Sequence, residues 1–324
     1  MRDSFYAGYF LTEGIVKNSK LAIWLQELRA PFFTASVIPV LVGTTLAYST
    51  AGVFNLLLFV LAVFGTVALH AGANIANDYF DHTSRNDWLN KNPTPFSGGS
   101  QLIQRGLLSP RSVLIAAWVA LSIGALIGVV ILLLTKSIFI LALGLAGLLG
   151  GYFYTAPPVK LGYRSSGELV IGLLFGVLPV YGSYYLQTRT IDLVPLVPAV
   201  IVAMLIFLVI LVNEFPDAPA DRAVNKKTLV VVLGYKPAVW IYRVVLLATF
   251  CVVALFILIF KTMVFPGLLY FLTLPLALLA LKFLNRDVLQ KSGRHAVNQL
   301  TIILHLAGGI MLSLGFLLSG LMNR

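Results

Sequence analysis

The sequence predicts an all-α, polytopic membrane protein in which nine transmembrane helices surround a central cavity. Of its 324 residues, 59% are hydrophobic and only 11% are charged, and the mean hydropathy is +0.93. A composition of this kind excludes an ordinary soluble domain. The apolar runs are long enough to cross a bilayer as helices, and short polar loops separate most of them.

The predicted spans follow from the nine apolar runs, at about 31–49, 53–76, 110–134, 137–155, 167–186, 192–214, 237–260, 265–284 and 297–321. Residues 1–30 are predicted as an N-terminal cytoplasmic or interfacial segment, with Trp24 at headgroup depth, and residues 31–324 as one transmembrane domain. Polar loops are predicted at about 78–109, 155–166, 215–236 and 285–296. The beginning of the chain lacks the pattern of a cleavable signal peptide.

The basic residues predict the orientation of these spans. In the nine-span arrangement, 19 of the 23 Lys and Arg residues fall on the side of the four polar loops. Basic residues are enriched in cytoplasmic loops, so the four loops are predicted to be cytoplasmic, in a multi-pass protein of a prokaryotic inner or plasma membrane. The same placement explains the net charge of +11 without a nucleic acid. The single cysteine, Cys251, excludes an intramolecular disulfide.

Two polar stretches at the ends of apolar runs hold half of the 12 acidic residues. The stretch after the second run contains Asn77, Asp78, Asp81 and Asp87. The stretch after the sixth run contains Asn213, Glu214, Asp217 and Asp221. Acidic residues beside membrane spans are costly and mark functional sites. Their matching positions also predict two four-helix repeats closed by a ninth helix.

Helical spacing places the oxygen-bearing side chains of each stretch on one face, because residues four apart are neighbours on a helix. The predicted metal ligands are Asn77, Asp81, Asn213, Asp217 and Asp221. Oxygen ligands of this kind suit Mg²⁺, and two facing carboxylate sets suit two ions held against a diphosphate. Pro216 and Pro219 predict that the second helix kinks or restarts there.

Two loops leave alternatives open. Pro157 and Pro158 stiffen the loop between Tyr154 and Arg164, so Lys160 and Arg164 either contact an anion or act only as topology signals. The glycine-containing segment 96–100 either brings backbone amides to an anion or forms a flexible lid.

Three motifs resemble the UbiA superfamily of intramembrane prenyltransferases. They are Asn77-Asp-Tyr-Phe-Asp81 with Asp87, the loop Tyr154-Thr-Ala-Pro-Pro-Val-Lys160, and Asp217-x-x-x-Asp221 followed by Lys227-Thr-Leu-Val-Val-Val-Leu-Gly234. The resemblance covers nearly the whole chain and is strongest to the 1,4-dihydroxy-2-naphthoate polyprenyltransferases of menaquinone synthesis. One departure is that this branch commonly carries Asn-Asn-x-Arg-Asp where this chain has Asn213-Glu-Phe-Pro-Asp217, so a basic residue beside the second cluster is missing.

The resemblance implies Mg²⁺-dependent transfer of a polyprenyl group from an allylic polyprenyl diphosphate to an aromatic acceptor within the lipid bilayer. The catalytic residues it implies are Asp78, Asp81, Asp217 and Asp221. The substrate-binding residues it implies are Asn77, Asn213, Lys160, Arg164, Tyr154, Arg29 and Asp87. No obligate protein partner is evident in the sequence.

Two alternatives remain open from the sequence. A UbiA-type enzyme can take another acceptor, such as 4-hydroxybenzoate, homogentisate, a chlorophyll precursor or a glycerol phosphate backbone. A secondary transporter also has broken helices and internal repeats, although the acidic residues here cluster at one end of the spans rather than at their middle.

Overall fold

The computed structural model describes residues 19–289 and 295–322, and within these ranges it contains helices and no β-strand. The all-α class is therefore confirmed. Parts of two predicted segments, the N-terminal segment 1–30 and the polar loop 285–296, lie outside the described residues.

The described chain forms fourteen α-helices joined by loops and by short 3₁₀ or π turns. They are α1 (Lys20–Glu27), α2 (Thr34–Ala51), α3 (Leu56–Thr83), α4 (Asn86–Leu89), α5 (Pro110–Thr135), α6 (Ile138–Tyr152), α7 (Gly167–Gly172), α8 (Leu178–Thr188), α9 (Leu196–Ala223), α10 (Leu229–Leu233), α11 (Tyr235–Ile259), α12 (Val264–Phe271), α13 (Leu274–Leu284) and α14 (Ala296–Met322). A π turn, Leu173–Val177, joins α7 to α8.

Seven described helical segments are long and apolar enough to cross a bilayer. Two of these segments combine consecutive helices, α1 with α2 and α7 with α8. The other five are the single helices α3, α5, α9, α11 and α14. The helices α12 and α13 meet at 43° and form an eighth candidate if the bent pair crosses as one span. Helix α6 is apolar but has 15 residues, fewer than the roughly 20 that a helix needs to cross the hydrocarbon core. The chain is therefore a multi-pass membrane protein with seven to eight candidate spans.

Helix α9 is the core of the bundle. Its residues Val202, Leu205, Leu208 and Leu211 are completely buried, and the helix packs against α7, α11 and α14. Helix α3 packs along α5, while α2 pairs with α8 and α14. This arrangement brings the C-terminal ends of α3 and α9 to the same end of the bundle, where the two acidic stretches meet.

Both of these helices are longer than predicted. Helix α3 continues to Thr83, past the predicted end of its span at residue 76. The residues from Asn77 to Asp81 therefore lie on its last turns and not in a loop. Helix α9 continues to Ala223, past the predicted end at residue 214, so the second acidic stretch is also helical.

The predicted restart of α9 at its two prolines is wrong, because side chains satisfy the carbonyl groups that the prolines leave without a helical donor. A proline removes the N–H that would bond the carbonyl four residues earlier. For Pro216 that carbonyl is Val212, and the Asn298 amide donates to it at 3.1 Å. For Pro219 it is Phe215, and the Tyr235 hydroxyl donates to it at 3.0 Å. The helix therefore keeps its register, which carries both Asp217 and Asp221 to the site.

Candidate active site

A polar cavity of about 200 Å³ lies between the ends of α3 and α9 and the loop that follows α4. The carboxyl groups lining it come from both acidic stretches: Asp81, Asp87, Glu214, Asp217 and Asp221. The predicted meeting of the two stretches is therefore present in the structure. Fixed helix ends position these groups, so their spacing depends on how α3 and α9 pack and not on a mobile loop.

Lys226 joins the two acidic stretches. Its Nζ atom lies 3.2 Å from Asp81 Oδ2 and 3.6 Å from Asp221 Oδ1. Burial lowers the pKa of Lys226, but Asp221 and Asp81 raise it by more, so the pKa is well above its ordinary value and the ammonium stays charged. One cation thus holds together two carboxylates that would otherwise repel each other.

Two asparagines from the segment after α3 fix the carboxylates of α9. The Asn86 amide donates to Asp221 Oδ1 at 2.7 Å, and the Asn90 amide donates to Asp217 Oδ1 at 2.8 Å. Because each asparagine donates to one oxygen of a carboxylate, it also fixes the direction in which the second oxygen of that carboxylate points. Such supporting contacts orient ligand groups before a substrate arrives.

Backbone amides of the glycine-containing segment 96–100 bind carboxyl groups of the acidic stretches. The backbone N–H of Gly98 donates to Asp217 Oδ2 at 3.1 Å, and that of Ser100 donates to Asp78 Oδ2 at 2.9 Å. Gly99 lies between them with a φ of +70°, and a Cβ there would approach Asp87 Oδ2 to 2.8 Å. A glycine is therefore required for the segment to pass over the carboxylates.

More carboxyl groups than basic side chains line the cavity. There are five carboxyl groups, against two basic side chains, Arg29 and Lys226. Burial, followed by the charges of Asp81 and Asp78, raises the pKa of Asp87 to about 9. Crowded and partly desolvated carboxyl groups favour their neutral form. A bound cation would favour the ionised form.

Five of the sequence-predicted substrate residues line this cavity: Asn77, Asn213, Arg29, Tyr154 and Asp87. The side-chain amide oxygen of Asn213, Oδ1, accepts a hydrogen bond from the Asn298 amide at 2.9 Å, which connects the second acidic stretch to α14. The Arg29 guanidinium donates to the Phe96 carbonyl at 3.3 Å and therefore reaches the same segment as Gly98.

The structure does not bring Lys160 and Arg164 to the cavity lining. Arg164 is exposed, and its guanidinium donates to the Val159 carbonyl of its own loop at 3.2 and 3.3 Å. The Lys160 ammonium lies over the Tyr163 ring at 4.8 Å. The contribution of this loop to the carboxylates is Tyr163, whose hydroxyl donates to Asp81 Oδ1 at 3.0 Å. Direct contact of Lys160 and Arg164 with a substrate stays a prediction.

Four residues of the site have no role in the sequence prediction: Lys226, Asn86, Asn90 and Glu27. By its charge alone, Lys226 is one of many topology signals, although it follows Asp221 closely in the sequence. Asn86 and Asn90 are four residues apart, a spacing that could have been recognised. Glu27 was assigned to a surface helix, but it is completely buried and accepts a hydrogen bond from the Ser100 hydroxyl at 2.6 Å.

The donor set fits Mg²⁺ that is shared with a phosphate-bearing ligand. Carboxylate oxygens predominate, as Mg²⁺ requires, and Asp78 Oδ1 is buried without a hydrogen-bond partner in the described part of the chain. Within residues 19–289 and 295–322, however, no three His, Cys, Asp or Glu side chains are grouped to hold a metal by themselves. Ligands from the substrate would have to complete the coordination shell.

A second, apolar cavity of about 280 Å³ continues from the polar one. The two cavities share four lining residues: His70, Ala73, Gly151 and Phe175. Glycines 128 and 144, from α5 and α6, line the apolar cavity, and a Cβ at either would meet no atom within 4 Å. Gly144 is also exposed on the outer surface of the bundle, so the cavity reaches the lipid-facing side between α5 and α6.

We expect Lys226→Met to make the thermal stability of the protein depend on Mg²⁺. Removing one partner of a buried ion pair costs about 3–5 kcal/mol, because the remaining charges are unpaired, and a divalent cation can replace the ammonium. The measurement is the melting temperature in detergent with and without Mg²⁺. The control is Lys227→Met at the adjacent exposed lysine. Equal Mg²⁺ effects in both variants would contradict a bridging role for Lys226.

Comparison with known proteins places this geometry in a family. The chain is 35% identical over 217 residues to the 1,4-dihydroxy-2-naphthoate octaprenyltransferase of Mycobacterium tuberculosis, with 67% of this chain and 71% of the relative covered. Its fold matches the apo structure of a UbiA homolog from Aeropyrum pernix with a TM-score of 0.67 and 17% identity, over 88% of this chain and 97% of that chain.

A UbiA homolog from Archaeoglobus fulgidus, solved with DMAPP and Mg²⁺, matches with a TM-score of 0.59 and 16% identity, over 90% of this chain and 99% of that chain. The model of the UbiA prenyltransferase family matches residues 36–305. Because this match covers more than half of the sequence, the chain belongs to the UbiA prenyltransferase family, and the prediction that it is a transferase is confirmed.

Proposed function

We propose that this protein transfers a polyprenyl group from an allylic polyprenyl diphosphate to 1,4-dihydroxy-2-naphthoate, in an Mg²⁺-dependent reaction. The observation that carries the proposal is the meeting of two carboxylate clusters at the polar end of a cavity that continues into an apolar chamber. This matches a substrate with a diphosphate head and a hydrocarbon tail. The relative from Mycobacterium tuberculosis has a name that gives this naphthoate as acceptor.

The reaction class follows from the chemistry of the two clusters. When bound, Mg²⁺ would neutralise the diphosphate and make it a better leaving group. The metal ligands we propose are Asn77, Asp81, Asn213, Asp217 and Asp221, arranged for two ions. The Lys226 ammonium and the Arg29 guanidinium would stabilise the negative charge that grows on the diphosphate as the bond to carbon breaks.

The diphosphate would leave with the electron pair of its bond to the allylic carbon, which becomes a cation. The acceptor ring would form a bond to this allylic cation, and the ring carboxylate would leave as carbon dioxide, whose bonding electrons restore the aromatic ring. The apolar walls below the carboxylates, which include Phe175, exclude water that would otherwise capture the cation. Asp78 supports this arrangement by accepting a hydrogen bond from the backbone N–H of Ser100, and Asp87 accepts one from the Gln104 amide. Neither residue has a separate step assigned to it.

The other acceptors remain competing substrates within the same reaction class. The departure at Glu214 bears on them, because this carboxyl group lines the cavity where the resembled branch commonly has Asn. Acceptor choice is therefore the part of the proposal that most needs a direct test.

We also propose nine spans within one transmembrane domain. Helix α6 would be one of them, although its 15 residues are fewer than a helix ordinarily needs to cross the hydrocarbon core. The bent pair α12 and α13 would cross as one span, and two four-helix units with α14 as the ninth helix would form the repeat. The site would face the cytoplasm of a prokaryotic cell whose inner or plasma membrane holds the protein. No protein partner is needed for this reaction.

The deciding experiment offers membranes containing the protein one isotope-labelled polyprenyl diphosphate and several aromatic acceptors, and identifies the lipid products by mass spectrometry. We expect a prenylated, decarboxylated naphthoate product that requires Mg²⁺. Asp217→Ala should abolish its formation. The matched control is Asp192→Ala. Asp192 lies in the loop between α8 and α9 and accepts hydrogen bonds from residues close to it in sequence, Tyr184, Thr190 and Val194. Product formation by Asp217→Ala at the rate of the unmodified protein would remove the metal-site proposal.

The apolar cavity gives a prediction about donor length. Gly128→Trp fills open space in the chamber, so we expect it to lower turnover of a long polyprenyl diphosphate at least ~10-fold while a five- or ten-carbon donor is still used. Gly128→Ala, which adds one methyl group to the same open space, is the control. The measurement is kcat/KM for a donor series. Equal losses for short and long donors would mean that the tail lies elsewhere.

The orientation of the site can be tested with single cysteines at the exposed residues Asn92, Ser165 and Asn225 in a background that lacks Cys251. An impermeant thiol reagent should leave all three unlabelled in intact cells and label all three in inside-out vesicles. The three positions lie in the loops after α4, before α7 and after α9. Labelling of positions 92 and 225 from opposite sides would exclude the proposed topology.

A further inference from the structure

Helix α3 carries more polar groups into the cavity than the carboxylate site needs. Below Asp81 and Asn77, the same cavity is lined by Asn74 and His70. These positions follow the spacing of one helix face. At about 1.5 Å per residue, His70 lies about 10 Å below Asn77 along the helix axis, and Asn74 lies between them. The pair is thus at the depth where a donor bound through its diphosphate would present its reactive carbon.

His70 is held in a fixed orientation with one nitrogen left open. Its Nδ1 is hydrogen-bonded to the Ser36 hydroxyl at 2.9 Å, and its ring contacts Phe175 edge-on at 4.6 Å and Phe33 at 5.6 Å. No described residue hydrogen-bonds its Nε2. The Nε2 atom of His70 is accessible from the cavity. By contrast, the Nε2 atom of His305 is buried, and none of the described residues hydrogen-bonds it.

Asn74 is open in the same way. Its side chain is half-buried at the cavity wall, and none of the described residues forms a hydrogen bond with its amide. A polar group at a cavity wall without a protein partner is unfavourable unless water or a ligand satisfies it. Asn74 and His70 are four residues apart, which places them about 6 Å apart along the helix axis. This separation suits two hydroxyl groups on opposite sides of one aromatic ring.

We propose that Asn74 and His70 recognise the aromatic acceptor by hydrogen-bonding its two para-related ring hydroxyl groups. This inference rests on the proposed function and names the residues that select its acceptor. The pair would hold the ring next to the reactive carbon of the donor, while Phe175, which lines both cavities, would contact one ring face. Both residues touch the substrate, and Ser36 acts only through His70 as a positioning residue.

The test is a double-mutant cycle in which each side-chain replacement is combined with the removal of each hydroxyl group from the ligand. We would measure the apparent affinity of 1,4-dihydroxy-2-naphthoate as the substrate, and those of its 1-hydroxy and 4-hydroxy analogues as inhibitors of its turnover. For the unmodified protein, removal of either hydroxyl should weaken binding roughly 10-fold, as expected when buried polar groups lose a partner. In His70→Leu, removal of one of the two hydroxyl groups should no longer weaken binding. In Asn74→Leu, the same should hold for the other hydroxyl group. The donor KM should change less than ~2-fold in both variants.

Three further variants make the result specific. His70→Gln keeps a hydrogen-bonding group and should restore part of the lost affinity. Ser36→Ala should give a smaller loss for the same hydroxyl as His70→Leu. His305→Leu is the matched control, since this buried histidine lines neither cavity. It should keep both penalties.

The outcomes separate this inference from the proposed function. If the unmodified protein converts the dihydroxy acceptor and both leucine variants keep both penalties, the assignment of Asn74 and His70 is wrong while the proposed function stands. If the variants raise the donor KM instead, the residues contact the donor tail. If the unmodified protein converts no aromatic acceptor, the proposed function fails, and this inference fails with it.

Discussion

The contact of Lys226 with Asp81 and Asp221 is the interaction on which the site depends. It connects the last turns of α3 and α9, which belong to different parts of the chain. Without a cation between them, these carboxylates would repel each other in a partly desolvated space where charge interactions are strong. The protein therefore keeps its two clusters in contact through one internal cation. In the proposed function, the remaining carboxyl groups would bind Mg²⁺ that arrives with the substrate.

The two prolines of α9 show how the backbone supports this contact. Each proline leaves one carbonyl without a helical donor, and a buried helix cannot use water as a substitute. Asn298 and Tyr235 supply the missing hydrogen bonds from α14 and α11. Asn298 also donates to Asn213. The same side chain thus maintains the helix and orients a proposed metal ligand, so the position of the second cluster is coupled to the packing of α14.

Much of this molecule could be predicted from its sequence. The apolar runs fixed the helical class, and helix periodicity paired Asn77 with Asp81 and Asp217 with Asp221. The rest depends on tertiary contacts that carry no local signal. The restart at Pro216 was wrong because its compensating donor lies 82 residues later, at Asn298. Lys226 could not be distinguished from topology signals by charge alone. The ligand of the backbone amides in segment 96–100 could not be predicted, because successive backbone N–H groups bind a protein carboxylate as readily as a free anion.

The position of His70 and Phe175 between the two cavities explains why one enzyme can handle such different substrate parts. Above them, fixed carboxylates and two basic side chains provide the environment for a diphosphate. Below them, glycines leave a groove that reaches the lipid-facing surface between α5 and α6. In the proposed function, a prenyl diphosphate bound across this boundary would have its reactive carbon near the polar groups of α3. Because helix α3 lines both cavities, it would position the leaving group, the reactive carbon and the acceptor along one rigid element.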